Sequence, residues 1–208
     1  KEIGISNGWT ESDAQEVIPQ NMLKNGTLKL VGSGAYYAGS NPYINLGTCA
    51  LTGLSNFSIN IWAKKEPNTS TFALIATNDG GGSYIRYDND DDIIFAINTA
   101  AAQDSSVTAS NAQLNHGEWE MITGTYTVDG SGDSTSKLYR NGQLIATQDV
   151  SNSGPLSDDY NFIYRYSTSY GYGIVDEISK WSKTLSYDEV KELYVDSLPQ
   201  NALEHSAN

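Results

Sequence analysis

The feature that most constrains the fold lies near the C-terminal end, where a strand-like segment leads through a short turn into one capped helix. Residues 173–181 read Gly-Ile-Val-Asp-Glu-Ile-Ser-Lys-Trp, an apolar run that carries an acidic pair. Ser186 and Glu189 have the spacing of a capping box, in which each side chain binds the other residue's backbone N–H. Leu185 and Val190 flank the cap and predict a hydrophobic staple. A lone terminal helix after a strand-rich chain favours a β-fold closed by one short helix.

The preceding chain consists of short runs of alternating apolar residues separated by turns. Along residues 57–64 every second side chain is apolar, as in a strand with one buried face. The Asn141-Gly142 dipeptide predicts a β-hairpin, because a type I′ turn needs positive φ at both central positions. Roughly ten to twelve such strands predict an all-β, antiparallel two-sheet jelly-roll sandwich with one short C-terminal helix. The apolar positions of the clearest run are Phe57, Ile59, Ile61 and Ala63.

The length of 208 residues fits one β-sandwich domain. We predict an irregular N-terminal segment at residues 1–27, the folded domain at 28–195, and a tail or linker at 196–208. The chain begins with Lys1 and carries no signal-peptide pattern, which indicates a processed chain or a segment of a larger protein. Cys49 is the only cysteine, so the chain forms no internal disulfide.

Charge and hydropathy limit the partners. The formal net charge is −13, from 25 acidic and 12 basic residues. Such a surface repels phosphate groups, and no Lys/Arg cluster offers a local exception. We therefore expect no nucleic-acid partner and no anionic-membrane partner. No apolar run approaches the roughly 20 residues that span a bilayer, so membrane insertion is not expected either.

Four motifs, in this order, resemble the laminin-G-like, concanavalin A-like lectin/glucanase jelly-roll family. They are Phe-Ser-Ile-Asn-Ile-Trp-Ala-Lys at 57–64, His-Gly-Glu-Trp-Glu-Met-Ile-Thr-Gly-Thr-Tyr at 116–126, Leu-Tyr-Arg-Asn-Gly-Gln-Leu at 138–144, and the closing strand and helix at 173–194. The resemblance covers residues 28–195 and implies a jelly-roll domain of the kind found in secreted bacterial and tailed-phage virion proteins. This fold hosts lectins, enzymes and structural spacers, so the resemblance implies the fold more than the function.

The same resemblance implies one structural Ca²⁺. It puts the aspartate of the closing Asp-Glu pair, Asp176, among the ligands, and carbonyl groups of the turn at 38–41 could add others. Calcium takes about six to eight oxygens. The alternative is that Asp176 only caps backbone N–H groups near the closing helix. Two other acidic segments, 88–92 and 129–133, lack the Gly and Glu of an EF-hand loop and are predicted to be charged turns.

We predict no catalytic residues and no enzyme. Glu11, Asp13 and Glu16 match the E-x-D-x-x-E spelling of laminarinase-type glycoside hydrolases. The residues between them are polar, however, and in a helical turn Glu11 and Glu16 point to different faces. We interpret this match as chance. The two histidines, His116 and His205, have no recognisable nucleophile partner.

The predicted ligand-binding residues form a tyrosine-rich segment near the C-terminal end. Exposed aromatic rings give sugars a flat apolar platform, and a nearby arginine can bind hydroxyl groups. Side-chain alternation places every second tyrosine on one strand face. The alternative is that these tyrosines line the core, because tyrosine is a favoured strand residue. The segment contributes Tyr164, Arg165, Tyr166, Tyr170 and Tyr172.

These observations predict a non-catalytic recognition or adhesion module of a larger extracellular or virion-surface protein. Its expected ligand is a polysaccharide or cell-surface glycan. The alternative is a structural decoration or fibre module of a bacteriophage virion, with protein partners and no glycan ligand. Loss of sugar binding in tyrosine variants would favour the first hypothesis, and a defined oligomer or a docked protein partner would favour the second.

Overall fold

Two antiparallel sheets and one helix account for most of what the structure, a computed structural model, describes. The described residues are 23–24, 27–31, 34–38, 43–45, 51–65, 72–77, 82–88, 91–99, 105–112, 117–163, 165–166, 169–170 and 173–197. Their strands are β1 (Leu23–Lys24), β2 (Thr27–Val31), β3 (Gly34–Ala38), β4 (Tyr43–Asn45), β5 (Asn56–Lys65), β6 (Phe72–Ala76), β7 (Tyr84–Tyr87), β8 (Ile93–Ala96), β9 (Val107–Ala109), β10 (Glu120–Val128), β11 (Ser134–Arg140), β12 (Gln143–Val150), β13 (Phe162–Ile163), β14 (Arg165–Tyr166), β15 (Ser169–Tyr170) and β16 (Gly173–Trp181). The helix α1 is Tyr187–Ser197.

The two large sheets each contain seven strands. Sheet 1 has the order β1-β4-β13-β6-β7-β8-β9, and sheet 2 has the order β12-β11-β10-β5-β16-β3-β2. Strands distant in sequence lie side by side in both sheets, as in a jelly roll, and β14 and β15 form a small separate hairpin. The predicted antiparallel two-sheet sandwich with one short C-terminal helix is confirmed. The structure has more strands than predicted, because two-residue strands carry no readable alternation.

The main core lies between the two sheets and is built around β5. The four alternating residues predicted to share a face are all fully buried there. Phe57 contacts three further rings, with centroid distances of 6.2 Å to Phe95, 5.3 Å to Tyr126 and 6.0 Å to Tyr160. On β10, Gly124 has no Cβ, and one there would lie 2.8 Å from the Phe95 ring. The core therefore depends on close packing of aromatic rings against a glycine.

The hairpin between β11 and β12 forms at the predicted dipeptide. Asn141 and Gly142 have φ values of 49° and 74°, which confirms the expected positive φ at both turn positions. Asn141 also binds β10, since its Oδ1 accepts the Met121 N–H at 2.8 Å. A Cβ on Gly142 would lie 3.1 Å from Tyr194 Cβ, so the turn packs directly against α1.

Helix α1 starts with the predicted capping box. The Glu189 N–H donates to Ser186 Oγ at 3.3 Å, and the Ser186 N–H donates to Glu189 Oε2 at 2.8 Å. Hydrogen bonds from Lys183 and from the Ser186 backbone lower the pKa of Glu189 to about 2. Leu185 and Val190 are both buried in a second apolar cluster, as the staple predicts.

That second cluster places α1 on the outer face of sheet 2. It contains Trp62 of β5 and Met121 of β10, and the Trp62 ring stacks on Tyr194 at 5.8 Å. The Ser58 hydroxyl holds the segment that precedes the helix, because it donates to the Lys183 carbonyl and accepts the Leu185 N–H. Within the described residues no helix is long and apolar enough to cross a membrane.

Two observations bear on the predicted domain boundaries. Strand β1 lies within the segment 1–27, of which residues 1–22 are outside the described residues. Helix α1 extends to Ser197, two positions beyond the predicted end at residue 195. The division of the chain into three segments stays a prediction.

Candidate functional site

The predicted tyrosine segment follows β13, the strand of sheet 1 that lies between β4 and β6. Arg165 pairs with Tyr170 and Tyr166 pairs with Ser169, so the segment turns back on itself as a hairpin beside β6. Tyr164 and Tyr172 lie outside the described residues, as do the side chains of the hairpin. The sugar-binding role of this segment therefore stays a prediction.

The predicted calcium ligand, Asp176, lies on β16 opposite Trp62, where a bulge interrupts the ladder with β5. Its Oδ1 accepts the Glu177 N–H at 2.9 Å, and Glu177 has a positive φ of 45°. Among the described residues, no group of three or more His, Cys, Asp and Glu side chains is placed to hold a metal ion. Ca²⁺ takes about six to eight oxygens, so these residues do not by themselves form a calcium site.

The register of β16 on β3 separates Asp176 from the turn that was predicted to add carbonyl ligands. Val175 pairs with Ala35, and Ile174 pairs with Tyr36. Asp176 therefore lies at the Gly34 end of β3, whereas Ala38 lies at the other end, about 13 Å away at strand spacing. Residues 39–41 are outside the described residues. A calcium site at Asp176 stays a prediction.

A calcium site at Asp176 predicts that millimolar Ca²⁺ raises the melting temperature above that in EGTA. A ligand that binds only the folded state adds about 2.7 kcal/mol at a hundred times its Kd. Differential scanning fluorimetry measures the shift. Asp176→Asn should abolish it, and Asp196→Asn, at an exposed helix position, should keep it. Equal melting temperatures in Ca²⁺ and EGTA would rule the site out.

The described residues also form a candidate ligand-binding site, a groove on the outer face of sheet 2 that we call the helix groove. It lies between β10, β11 and the N-terminal end of α1, and its volume is about 270 Å³. This is close to the lower end of small-molecule pockets, which is about 300 Å³. The register pairs Thr125 with Lys137 and Thr127 with Thr135, so these side chains share one face. The lining residues are Thr125, Thr127, Thr135, Lys137, Tyr139, Thr184, Leu185, Ser186 and Tyr187.

Hydroxyl groups dominate the wall of the helix groove, and three of them donate their proton to protein acceptors. Thr184 Oγ1 donates to the Tyr126 carbonyl at 2.6 Å. Thr127 Oγ1 donates to Asn56 Oδ1, and Thr135 Oγ1 donates to an Asp149 carboxylate oxygen. A hydroxyl oxygen has two acceptor lone pairs as well as one proton. These threonines are therefore oriented to accept hydrogen bonds from a ligand.

Two tyrosines give the helix groove an aromatic side. Tyr187, at the first turn of α1, is 43% exposed, and its ring lies 6.4 Å from the ring of Tyr139 beneath it. The Tyr187 hydroxyl donates to Gln143 Oε1 at 3.2 Å, which holds the ring in place. Tyr139 is buried, and this burial raises the pKa of its phenol. The exposed Tyr187 ring is the aromatic surface that a ligand can reach.

The residues lining the helix groove are suited to binding and lack the groups for hydrolysis. None of the described lining residues is a carboxylate, a histidine or a cysteine. Glycoside hydrolysis requires a pair of carboxyl groups across one sugar. The Glu11–Glu16 match and both histidines lie outside the described residues.

Ionisable side chains also meet inside the sandwich, at the end where β5 finishes and β10 begins. Arg140 Nε lies 3.2 Å from Glu120 Oε1, and Lys65 Nζ lies 2.9 Å from Asp91 Oδ1. The Tyr87 hydroxyl faces the second Glu120 oxygen at 3.5 Å, and burial raises the Tyr87 pKa well above its usual value. Buried charges are tolerated when they are paired in this way. We infer that this cluster of paired charges stabilises the fold.

The helix groove was not among the sites predicted from the sequence. The signal that could have found part of it is the polar alternation Thr123-Gly-Thr125-Tyr-Thr127 along β10, which continues through Thr135 and Lys137 on β11. Such alternation indicates a polar outer face on a strand. It gives no information on where the terminal helix lies across that face.

Comparison with known proteins gives a family match over most of the chain. A family model described as the concanavalin A-like lectin/glucanases superfamily matches residues 38–191. None of the curated proteins matches the sequence.

Solved structures with the same fold include botulinum neurotoxin domains. The receptor binding domain of the C/D mosaic serotype has a TM-score of 0.63 and 16% identity, covering 84% of this chain and 45% of that one. The serotype D binding domain has a TM-score of 0.62 and 18% identity, covering 84% and 46%. The serotype G binding domain has a TM-score of 0.59 and 17% identity, with the same coverage. At such identity the likeness shows the fold alone, and this chain spans less than half the length of those structures.

Proposed function

The chain belongs to the concanavalin A-like lectin/glucanases superfamily, and we propose that it is a non-catalytic module that binds a polysaccharide at the helix groove. The observation that carries this proposal is a wall of threonine hydroxyls facing an exposed tyrosine ring in one small groove. We include in the proposal that the module belongs to a larger extracellular protein. Toxin domains named for receptor binding share the fold, which supports a binding role.

The chemistry of the helix groove matches that of a sugar ring. A pyranose presents hydroxyl groups around its edge and C–H groups on its faces. Thr127, Thr135 and Thr184 offer oriented hydroxyl oxygens to the edge. The Tyr187 ring offers an apolar face that is already held by Gln143. Such preorganisation reduces the entropy lost on binding.

Tyr187→Ala is expected to weaken polysaccharide binding about threefold to tenfold, on the scale of one lost aromatic contact. A glycan array identifies the ligand class for the unmodified protein, and calorimetry with that ligand measures the loss. Val195→Ala is the matched control, because Val195 is 44% exposed on the same helix and does not line the helix groove.

The same measurement separates the helix groove from the tyrosine hairpin beside β6. Tyr166→Ala removes a ring from that hairpin and leaves the helix groove intact. A loss in Tyr166→Ala but not in Tyr187→Ala would move the binding site to the hairpin and overturn the proposed location. No binding to any member of the array would overturn the binding proposal and favour the structural virion module.

A further inference from the structure

Lys137 is the one cation among the described residues that line the helix groove. Lys137 lies on β11 between Thr125 of β10 and Thr147 of β12, on the outer face of sheet 2. Its side chain is half-buried, and no salt bridge between described residues involves it. The chain has 25 acidic and 12 basic residues, so most lysines have carboxylates available to pair with. Lys137 is unusual because it lies in a groove and no described carboxylate forms a salt bridge with it.

Other charges near the helix groove are already engaged or lie at its edge. Asp149 is opposite Thr135 on β12, diagonal to Lys137, and one of its oxygens accepts the Thr135 hydroxyl. Glu189 of α1 pairs with Lys183 and with the Ser186 N–H. Neither of these carboxylates is among the described lining residues. The described wall of the helix groove therefore consists of neutral hydroxyl and aromatic groups, the aliphatic side chain of Leu185, and one ammonium group.

We propose that the helix groove selects an acidic sugar, with Lys137 binding its carboxylate or sulfate group. This inference rests on the proposed function. A lysine ammonium binds an anionic oxygen through charge-assisted hydrogen bonds, which are roughly twice as strong as neutral ones. The partial positive charge at the N-terminal end of α1 is already offset by Asp188 and Glu189 in its first turn, so the attraction for an anion comes from Lys137.

The probe is an array of oligosaccharides of equal length that are neutral, uronic acid-containing or sulfated. The unmodified protein is expected to bind uronic acid or sulfated members and to leave the neutral ones unbound, and the array distinguishes the two anions. Lys137→Gln should weaken that binding roughly tenfold, and Lys137→Arg should keep most of it. Lys191→Gln is the control, because it removes the same charge from an exposed position of α1 outside the helix groove.

Two further readouts distinguish recognition of an anion from a general effect on the fold. Added NaCl should weaken binding of the unmodified protein and have much less effect on Lys137→Gln, because salt screens the charge interaction. Asp149→Asn should strengthen binding, because it removes a negative charge beside the anion site. Equal affinity of Lys137→Gln and the unmodified protein for acidic members would overturn the inference.

Failure of this inference differs from failure of the proposed function. Binding of neutral oligosaccharides that Tyr187→Ala weakens would leave the polysaccharide proposal standing and overturn the acidic-sugar inference. Absence of binding to the whole array would overturn both.

Discussion

Phe57→Ala is expected to lower the free energy of unfolding by about 3–5 kcal/mol, the cost of removing a fully buried aromatic side chain and leaving a cavity. Phe57 is completely buried near the start of β5 and packs against the rings of Phe95, Tyr126 and Tyr160. Phe95 lies in sheet 1 and Tyr126 in sheet 2, so removal of the Phe57 ring weakens the packing between the two sheets. Equilibrium unfolding in urea, followed by tryptophan fluorescence, measures the change.

The control for Phe57→Ala is Leu144→Ala, a truncation at a residue that is 46% exposed on β12. Exposed substitutions of this kind change stability by about 0.5 kcal/mol or less. A loss below about 1 kcal/mol for Phe57→Ala would contradict the packing described around β5.

Glu120→Ala is expected to lower the free energy of unfolding by about 3 kcal/mol, at the lower end for a broken buried ion pair. The Glu120 side chain is 4% exposed and holds the Arg140 guanidinium, which is 20% exposed. Without Glu120, Arg140 keeps its hydrogen bond to the Ala112 carbonyl and loses its counter-charge. The partial exposure of Arg140 lets water compensate for some of the loss.

Glu118→Ala is a matched control for this change, because Glu118 is exposed two positions earlier in the chain. Both variants remove one carboxylate from the same segment, so the difference in urea midpoint isolates burial and pairing. The double variant Glu120→Ala/Arg140→Ala completes a thermodynamic cycle. A coupling energy within about 0.5 kcal/mol of zero would show that the two charges act independently.

Features encoded by neighbouring residues could be predicted from the sequence. Two such features depend only on residues within about four positions of each other. They are the capping box of Ser186 and Glu189 and the turn at Asn141 and Gly142. The buried face of β5 follows from side-chain alternation alone. These local patterns are sufficient to indicate the sandwich and its terminal helix.

Features that depend on distant pairings could not be predicted in this way. The acidic segment 88–92 is predicted to be a charged turn, but its pattern does not indicate that Asp91 pairs with the buried Lys65, 26 positions away in the chain. The helix groove requires β10 and β11 to lie beside the start of α1, about 50 positions later. Strand register and helix placement decide such contacts, and one sequence does not fix the register.

The length of α1 determines how much of sheet 2 is available to a ligand. Its 11 residues span about 16 Å, whereas seven strands are about 29 Å across. The helix covers the apolar cluster around Trp62 and Met121 and leaves the threonines of the helix groove accessible. Ser186, which caps the helix, is itself a lining residue of the helix groove, so the capping box also sets the boundary between the covered and the accessible part of sheet 2.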